Sequence, residues 1–262
     1  KSQGGSAKDG IMRKFVLGKS IDYGARAVIS TPKFNVNHFS EMKVNFQKTG
    51  VPLSICCTIF YPFILKWVKD FFENEFILET YPFMDKSGNI KKIKLKDPKA
   101  HFNDEYLQKN IELYIHSYSD RFKKIPIPNE DGLELYMKIS GRKASIEGGK
   151  PSVETSPLIN RHATWTDILY MAAVDVTEDK CITITRYPVT DYLSIFPSMV
   201  TVLSTRNTIP MYVDDKFYPY YPYIDLSLPP SEVETLFTET LELSNLYLKA
   251  LGGDYDGDMV SI

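Results

Sequence analysis

The stretch Gly252-Gly253-Asp254-Tyr255-Asp256-Gly257-Asp258-Met259 places three carboxylates at alternate positions among three glycines. At a spacing of two, the carboxylates of an extended segment share one face, and Gly257 lets the backbone bend so that all three converge. Converging carboxylates repel one another unless a cation joins them. A few hard oxygen ligands from Asp suit Mg²⁺, which keeps part of its water shell and shares its site with substrate phosphates. The residues therefore read as a Mg²⁺ site for phosphoryl or nucleotidyl chemistry. An EF-hand is excluded, because its loop needs Gly where Met259 stands and a Glu beyond Ile262. The same residue types also suit a plain acidic turn.

Composition narrows the setting. At 262 residues the chain has room for one large domain or two small ones. A net charge of −2 and a pI near 6.1 supply no overall basic field, so contact with nucleic acid would depend on local patches. The three cysteines, Cys56, Cys57 and Cys181, form no CxxC pair, which points to a reducing compartment without structural zinc. No run reaches the roughly 18 apolar residues of a membrane span, and the first residues lack a signal peptide's apolar stretch. The chain opens without Met and stops just after the acidic turn, and so reads as a piece of a longer polypeptide.

Upstream of the turn, Ser231 and Glu234 form a capping-box pattern that predicts a helix to about Glu242, with Leu246 to Ala250 entering the turn as a strand. The Tyr- and Pro-rich stretch from Met211 to Pro230 reads as a loop. Val200 to Leu203 and Cys181 to Arg186 read as strands, and Thr164 to Val176 as a capped helix. Val51 to Phe76 repeats apolar residues at three and four, which predicts one or two helices with Trp67 and the Phe residues in the core. Tyr81 to Lys99 suggests a hairpin around Ser87-Gly88-Asn89, and its lysines suit a solvated edge. Glu105 to Phe122 has helical spacing, while 124–128 and 148–157 are loop-like. His162 and the other histidines show no ligand spacing. At the amino-terminal end a basic segment carries Lys8, Arg13, Lys14, Lys19 and Arg26, which could track phosphates without reading bases, and Ile21 to Ile29 alternates as a strand.

Three stretches, in this order, resemble the largest, β′-type, catalytic subunit of multisubunit DNA-directed RNA polymerases. Gly10 to Ile29, with Leu17-Gly18-Lys19 and Ile21-Asp22-Tyr23-Gly24-Ala25-Arg26, is similar to the segment that joins the family's template-contacting switch to its first barrel strand. Val51-Pro52-Leu53 with Phe60 to Ile64 resembles the helix that follows. Arg186-Tyr187-Pro188 lies where the family has Arg-Ala-Pro, and Asp254-Tyr255-Asp256-Gly257-Asp258 resembles its NADFDGD signature. Departures include Gly252 for the signature Asn, Ser20 and Ile11 for arginines, and Val189-Thr190-Asp191-Tyr192 for Thr-Leu-His-Arg. They give the chain the look of a divergent, bacteriophage-encoded form.

The resemblance implies an α+β fold, a double-psi β-barrel with helical and β insertions. It divides the chain into an entry segment (1–20), a first part of the barrel with following helices (21–77), an inserted subdomain (78–160) and a second part with the metal turn (161–262). It implies Mg²⁺ held by Asp254, Asp256 and Asp258, nucleotide contact by Arg186 and Pro188, and phosphate contacts by Lys8, Arg13, Lys14, Lys19 and Arg26. The implied activity is addition of NTPs to an RNA 3′ end on a DNA template, together with a β-like second subunit and the remaining polymerase subunits, in the cytoplasm of an infected bacterium or packaged in a virion. An RNA-templated single-chain polymerase with the same acidic turn, and a non-catalytic nucleic-acid-binding barrel, are the alternatives.

Overall fold

The computed structural model describes residues 22–33, 44–78, 81–93, 97–126, 133–140, 142–147, 150–155, 159–189, 192–213, 216–223 and 230–262. Lys8, Arg13, Lys14 and Lys19 lie outside the described residues.

Strand Arg26–Ser30 (β1) is followed by Lys48–Pro52 (β2) and two helices, Leu53–Ile59 (α1) and Tyr61–Leu78 (α2). Pro62 falls in the first turn of α2, where a missing N–H costs nothing. A hairpin, Tyr81–Met84 (β3) and Ile90–Ile93 (β4), turns at Gly88, whose φ of 83° is open to glycine. Helices Pro98–His101 (α3), Asp104–His116 (α4) and Tyr118–Arg121 (α5) come next. Asn103 caps α4 by accepting from the Tyr106 N–H at 2.9 Å. Four strands follow, Glu134–Ser140 (β5), Arg142–Glu147 (β6), Lys150–Thr155 (β7) and Ile159–His162 (β8). Helix Trp165–Thr177 (α6) leads to strand Cys181–Thr185 (β9), a short 3₁₀ turn at Tyr192–Ser194 and strand Ile195–Leu203 (β10). Strands Thr208–Val213 (β11) and Lys216–Pro222 (β12) form a hairpin. Helix Pro230–Leu236 (α7), strand Leu241–Glu242 (β13), helix Asn245–Leu251 (α8) and strand Met259–Ser261 (β14) complete the chain.

Six strands make a mixed sheet that closes into a barrel in the order β1-β13-β2-β10-β9-β14. Its long ladders are β10 beside β2, parallel over five residue pairs, and β10 beside β9, antiparallel over five. Two junctions are single pairs, Glu242 with Gly50 and Ser261 with Thr185, because β13 and β14 are too short to carry a ladder. A second, open sheet runs β12-β11-β5-β3-β4 with β8 beside β5, and β6 pairs with β7.

This architecture corrects the expected fold class, a double-psi β-barrel with helical and β insertions. The barrel closes through short junctions, and as many strands again build a separate open sheet, so a double-psi barrel with insertions does not describe the whole. The molecule is an α+β fold of a closed six-stranded mixed barrel and an open sheet around helices, with no double-psi form shown.

Helices α1, α2, α4 and α6 pack between the sheets, burying Ile64, Val68, Phe72, Leu107, Ile111, Trp165 and Leu169. Each such side chain contributes about 1.5–3 kcal/mol on burial. Trp67 lies at the edge of this core, its indole donating to Asp175 of α6 at 2.9 Å. Helix α6 begins as expected at Thr164, whose N–H and hydroxyl both donate to Asp167 at 2.9 and 2.8 Å.

Local expectations are corrected too, among them the loop expected at 148–157, of which Lys150–Thr155 is strand β7. Of the stretch expected as a loop, 211–213 and 216–222 are strand, in β11 and β12, with Tyr218 and Tyr221 buried against Tyr170. The helix expected to reach Glu242 ends at Leu236, and Leu241–Glu242 is strand β13. Leu246 to Ala250 is helical, within α8. The two predictions around residues 236–250 are thus exchanged, since a short apolar run fits either period and its neighbours decide.

Candidate metal centre

The acidic turn is suspended between α8 and β14. Gly252 closes α8 in the left-handed conformation, φ 58°, with its N–H on Lys249 O at 3.2 Å and the Gly253 N–H on Leu248 O at 3.0 Å. This arrangement satisfies the last carbonyls of the helix and turns the chain sharply into Asp254. Gly257, at φ 121°, provides the second bend in a conformation that side chains rarely adopt. Beyond it, the Ile29 N–H of β1 donates to Asp258 O at 2.9 Å, and β14 begins.

Between these bends the carboxylates of Asp254, Asp256 and Asp258 converge, each offering an oxygen within 4.8 Å of the others. Asp254 and Asp256 are exposed and Asp258 is half-buried. Asp258 is held from two sides. One oxygen accepts from Arg186 Nη2 at 2.9 Å, and the other accepts from the Asp254 N–H at 3.0 Å. Arg186 also reaches Leu251 O at 3.5 Å, bracing the end of α8. Tyr255 anchors the turn, its hydroxyl meeting Leu243 O at 2.6 Å and Asn245 Oδ1 at 2.8 Å.

The electrostatics divide the three acids. A hydrogen bond to Asp256, reinforced by the charges of Asp256 and Asp258, holds the Asp254 carboxyl above the usual carboxylate range. The Arg186 hydrogen bond, followed by that from the Asp254 backbone, holds Asp258 below it. A divalent cation would relieve the repulsion at Asp254. The donors are all hard oxygens with no sulfur or imidazole among them, a set that fits Mg²⁺.

Of the residues singled out from sequence, the three aspartates and Arg186 come together, although 72 positions separate Arg186 from Asp258. Pro188 follows in a cis Tyr187–Pro188 bond and is exposed. Arg26 is exposed on β1 opposite Ser261, three positions along the strand from Ile29. Sequence reasoning did not single out Tyr255, whose signal was an aromatic ring alternating with the acids. It also passed over Tyr187 and Tyr192, each 82% exposed beside Arg186 and the 3₁₀ turn. Ser194 of that turn donates to Ala250 O of α8 at 3.4 Å.

No family model matches the chain, and no curated protein matches it. The assignment to the β′-type polymerase family is corrected on this finding, and the likeness stops at short motifs.

Proposed function

We propose that this chain supplies the metal-binding carboxylates of a nucleotidyltransferase that adds NTPs to an RNA 3′ end on a DNA template. The observation that carries the reading is the convergence of Asp254, Asp256 and Asp258 on an exposed turn that Arg186 braces from the side. Asp254, Asp256 and Asp258 would hold Mg²⁺, which when bound supplies the positive charge that phosphoryl transfer requires.

The chain's own residues supply the positioning. Arg186 keeps Asp258 ionised and oriented, and its position beside the acids suits contact with the sugar or phosphate of a nucleotide. Tyr255 ties the turn to the segment between β13 and α8, so the carboxylates keep their spacing without a bound substrate. The exposed rings of Tyr187 and Tyr192 suit stacking on a base. Arg26 suits a phosphate of the template. These cations are few for a polyanionic substrate, so a second polymerase subunit would supply further basic residues.

The test is templated RNA synthesis by the assembly containing this chain, on DNA and on RNA templates, with and without Asp256→Ala. DNA-dependent synthesis lost in the variant is the expected result. Synthesis on RNA alone would replace the template assignment, and full activity in the variant would leave a nucleic-acid-binding role without catalysis.

A further inference from the structure

A cavity of about 540 Å³ opens between the end of β1, Arg206 beyond β10, α5 and the segment that joins α7 to β13. Its volume falls within the roughly 300–1,000 Å³ of small-molecule sites. The charged groups of its lining fall into two sets. In the first, the Lys33 ammonium donates to Arg206 O at 3.4 Å, and among the described residues neither of these exposed cations meets a carboxylate. In the second, Glu234 and Glu239 lie around Tyr118, whose hydroxyl pKa is pushed up by burial and then by the charges of Glu239 and Glu234, with Arg121 opposing. Glu239 is already satisfied, by the buried Arg121 and by the Ser54 hydroxyl at 3.0 Å. Glu234 is exposed and meets no cation among the described residues, while Glu242 is buried on β13. The Arg121 guanidinium lies 4.4 Å from the Tyr118 ring and 4.7 Å from that of Phe237, which fixes both rings in the cavity wall. The groups left for a ligand are therefore two neighbouring cations, one carboxylate and the half-buried ring of Tyr118.

We propose that this cavity binds a nucleoside monophosphate, free or as the terminal nucleotide of a 5′-phosphorylated strand, with its phosphate on Lys33 and Arg206 and an amino group of its base on Glu234. An ammonium beside a guanidinium forms charge-assisted bonds to a phosphate, and the planar guanidinium fork matches two of its oxygens. A free carboxylate accepts from an exocyclic amine, and the Tyr118 ring gives the base an apolar surface. A bare phosphate would satisfy only the cations, and a nucleoside only the carboxylate and the ring. The inference rests on no part of the metal-centre reading.

The test is calorimetric titration of the full chain with adenosine 5′-monophosphate at constant ionic strength. Asp256→Ala and EDTA keep the metal centre out of the measurement. Saturable binding is expected, weakened about tenfold by Arg206→Ala and again by Glu234→Gln, two changes at exposed sites whose folding circular dichroism checks. Adenosine and inorganic phosphate should each bind more weakly than the monophosphate. Competition by a 5′-phosphorylated oligonucleotide, and not by its 5′-hydroxyl form, points to a terminal nucleotide, and binding of the monophosphate without such competition points to the free ligand. No saturable binding, equal affinity for the monophosphate and inorganic phosphate, or an affinity unchanged by both Arg206→Ala and Glu234→Gln overturns the proposal.

Discussion

Arg186 Nη2 donates to Asp258 Oδ1 at 2.9 Å, joining the end of β9 to the turn before β14. The bond orients one carboxylate of the metal centre and holds it ionised. Arg186→Ala should raise the Asp258 pKa toward the ordinary carboxylate value, as read by a carboxyl-carbon NMR titration. Because the folded value is depressed, Asp258 contributes stability above its unfolded pKa and loses it as pH falls below about 4, and the variant should lack that dependence. Templated synthesis should fall roughly 10–100-fold through misplacement of the carboxylate.

Glycine is required at Gly257 by conformation rather than by space, since nothing lies within 4 Å of an added Cβ. Gly257→Ala should cost about 1–2 kcal/mol in the turn and weaken Mg²⁺ binding, measured by calorimetry, by loosening the convergence. Gly252→Asn should fold normally, because Asn tolerates the left-handed region.

At Gly50 the restriction is steric. A Cβ there would lie 2.7 Å from Leu203 Cδ1, 2.9 Å from Val44 Cγ2 and 3.0 Å from Glu242 Cβ. Gly50→Ala should therefore destabilise the barrel by about 1–3 kcal/mol in denaturant unfolding, at the one pair that joins β13 to β2.

Tyr221 donates to the fully buried Asp167 carboxylate at 2.5 Å and so fastens β12 to the first turn of α6. Tyr221→Phe removes a bond to a buried acceptor and should cost about 1–3 kcal/mol in thermal or urea unfolding. Thr164 retains its own bonds to Asp167, so α6 should stay helical by circular dichroism.

His162 on β8 lies 2.9 Å from Glu134, which also pairs with Lys124. Burial, then the Lys124 charge, lowers the His162 pKa, while Glu134 opposes both. The folded chain thus takes up this proton less readily than the unfolded chain. The contribution is present above the ordinary value near 6.5 and declines as pH falls through the window below it. His162→Gln should flatten unfolding free energy against pH across that window.

The parts legible in sequence are those whose signal is local. The acidic turn was marked by its spacing and its glycines, α6 by its capping residues, and α1 and α2 by a long apolar stripe. Residues 211–222 were not legible, because tyrosines and prolines punctuate loops and line sheets alike, and pairing with β5 settles the matter. The fold class was misjudged for a related reason. Motifs at the two ends lie among strands that close into a barrel, whereas strands between them build a second, open sheet whose partners are distant in sequence.

By itself, the sequence determined that three carboxylates stand at alternate positions with glycine to bend them, since backbone geometry is set by neighbours in the chain. Only the tertiary structure decided that Arg186 meets Asp258, that Leu246 to Ala250 coils while Leu241–Glu242 extends, and that Trp165 is buried. Those outcomes depend on which surfaces meet once the chain closes on itself, and short apolar segments carry too few residues to choose a conformation before their partners arrive.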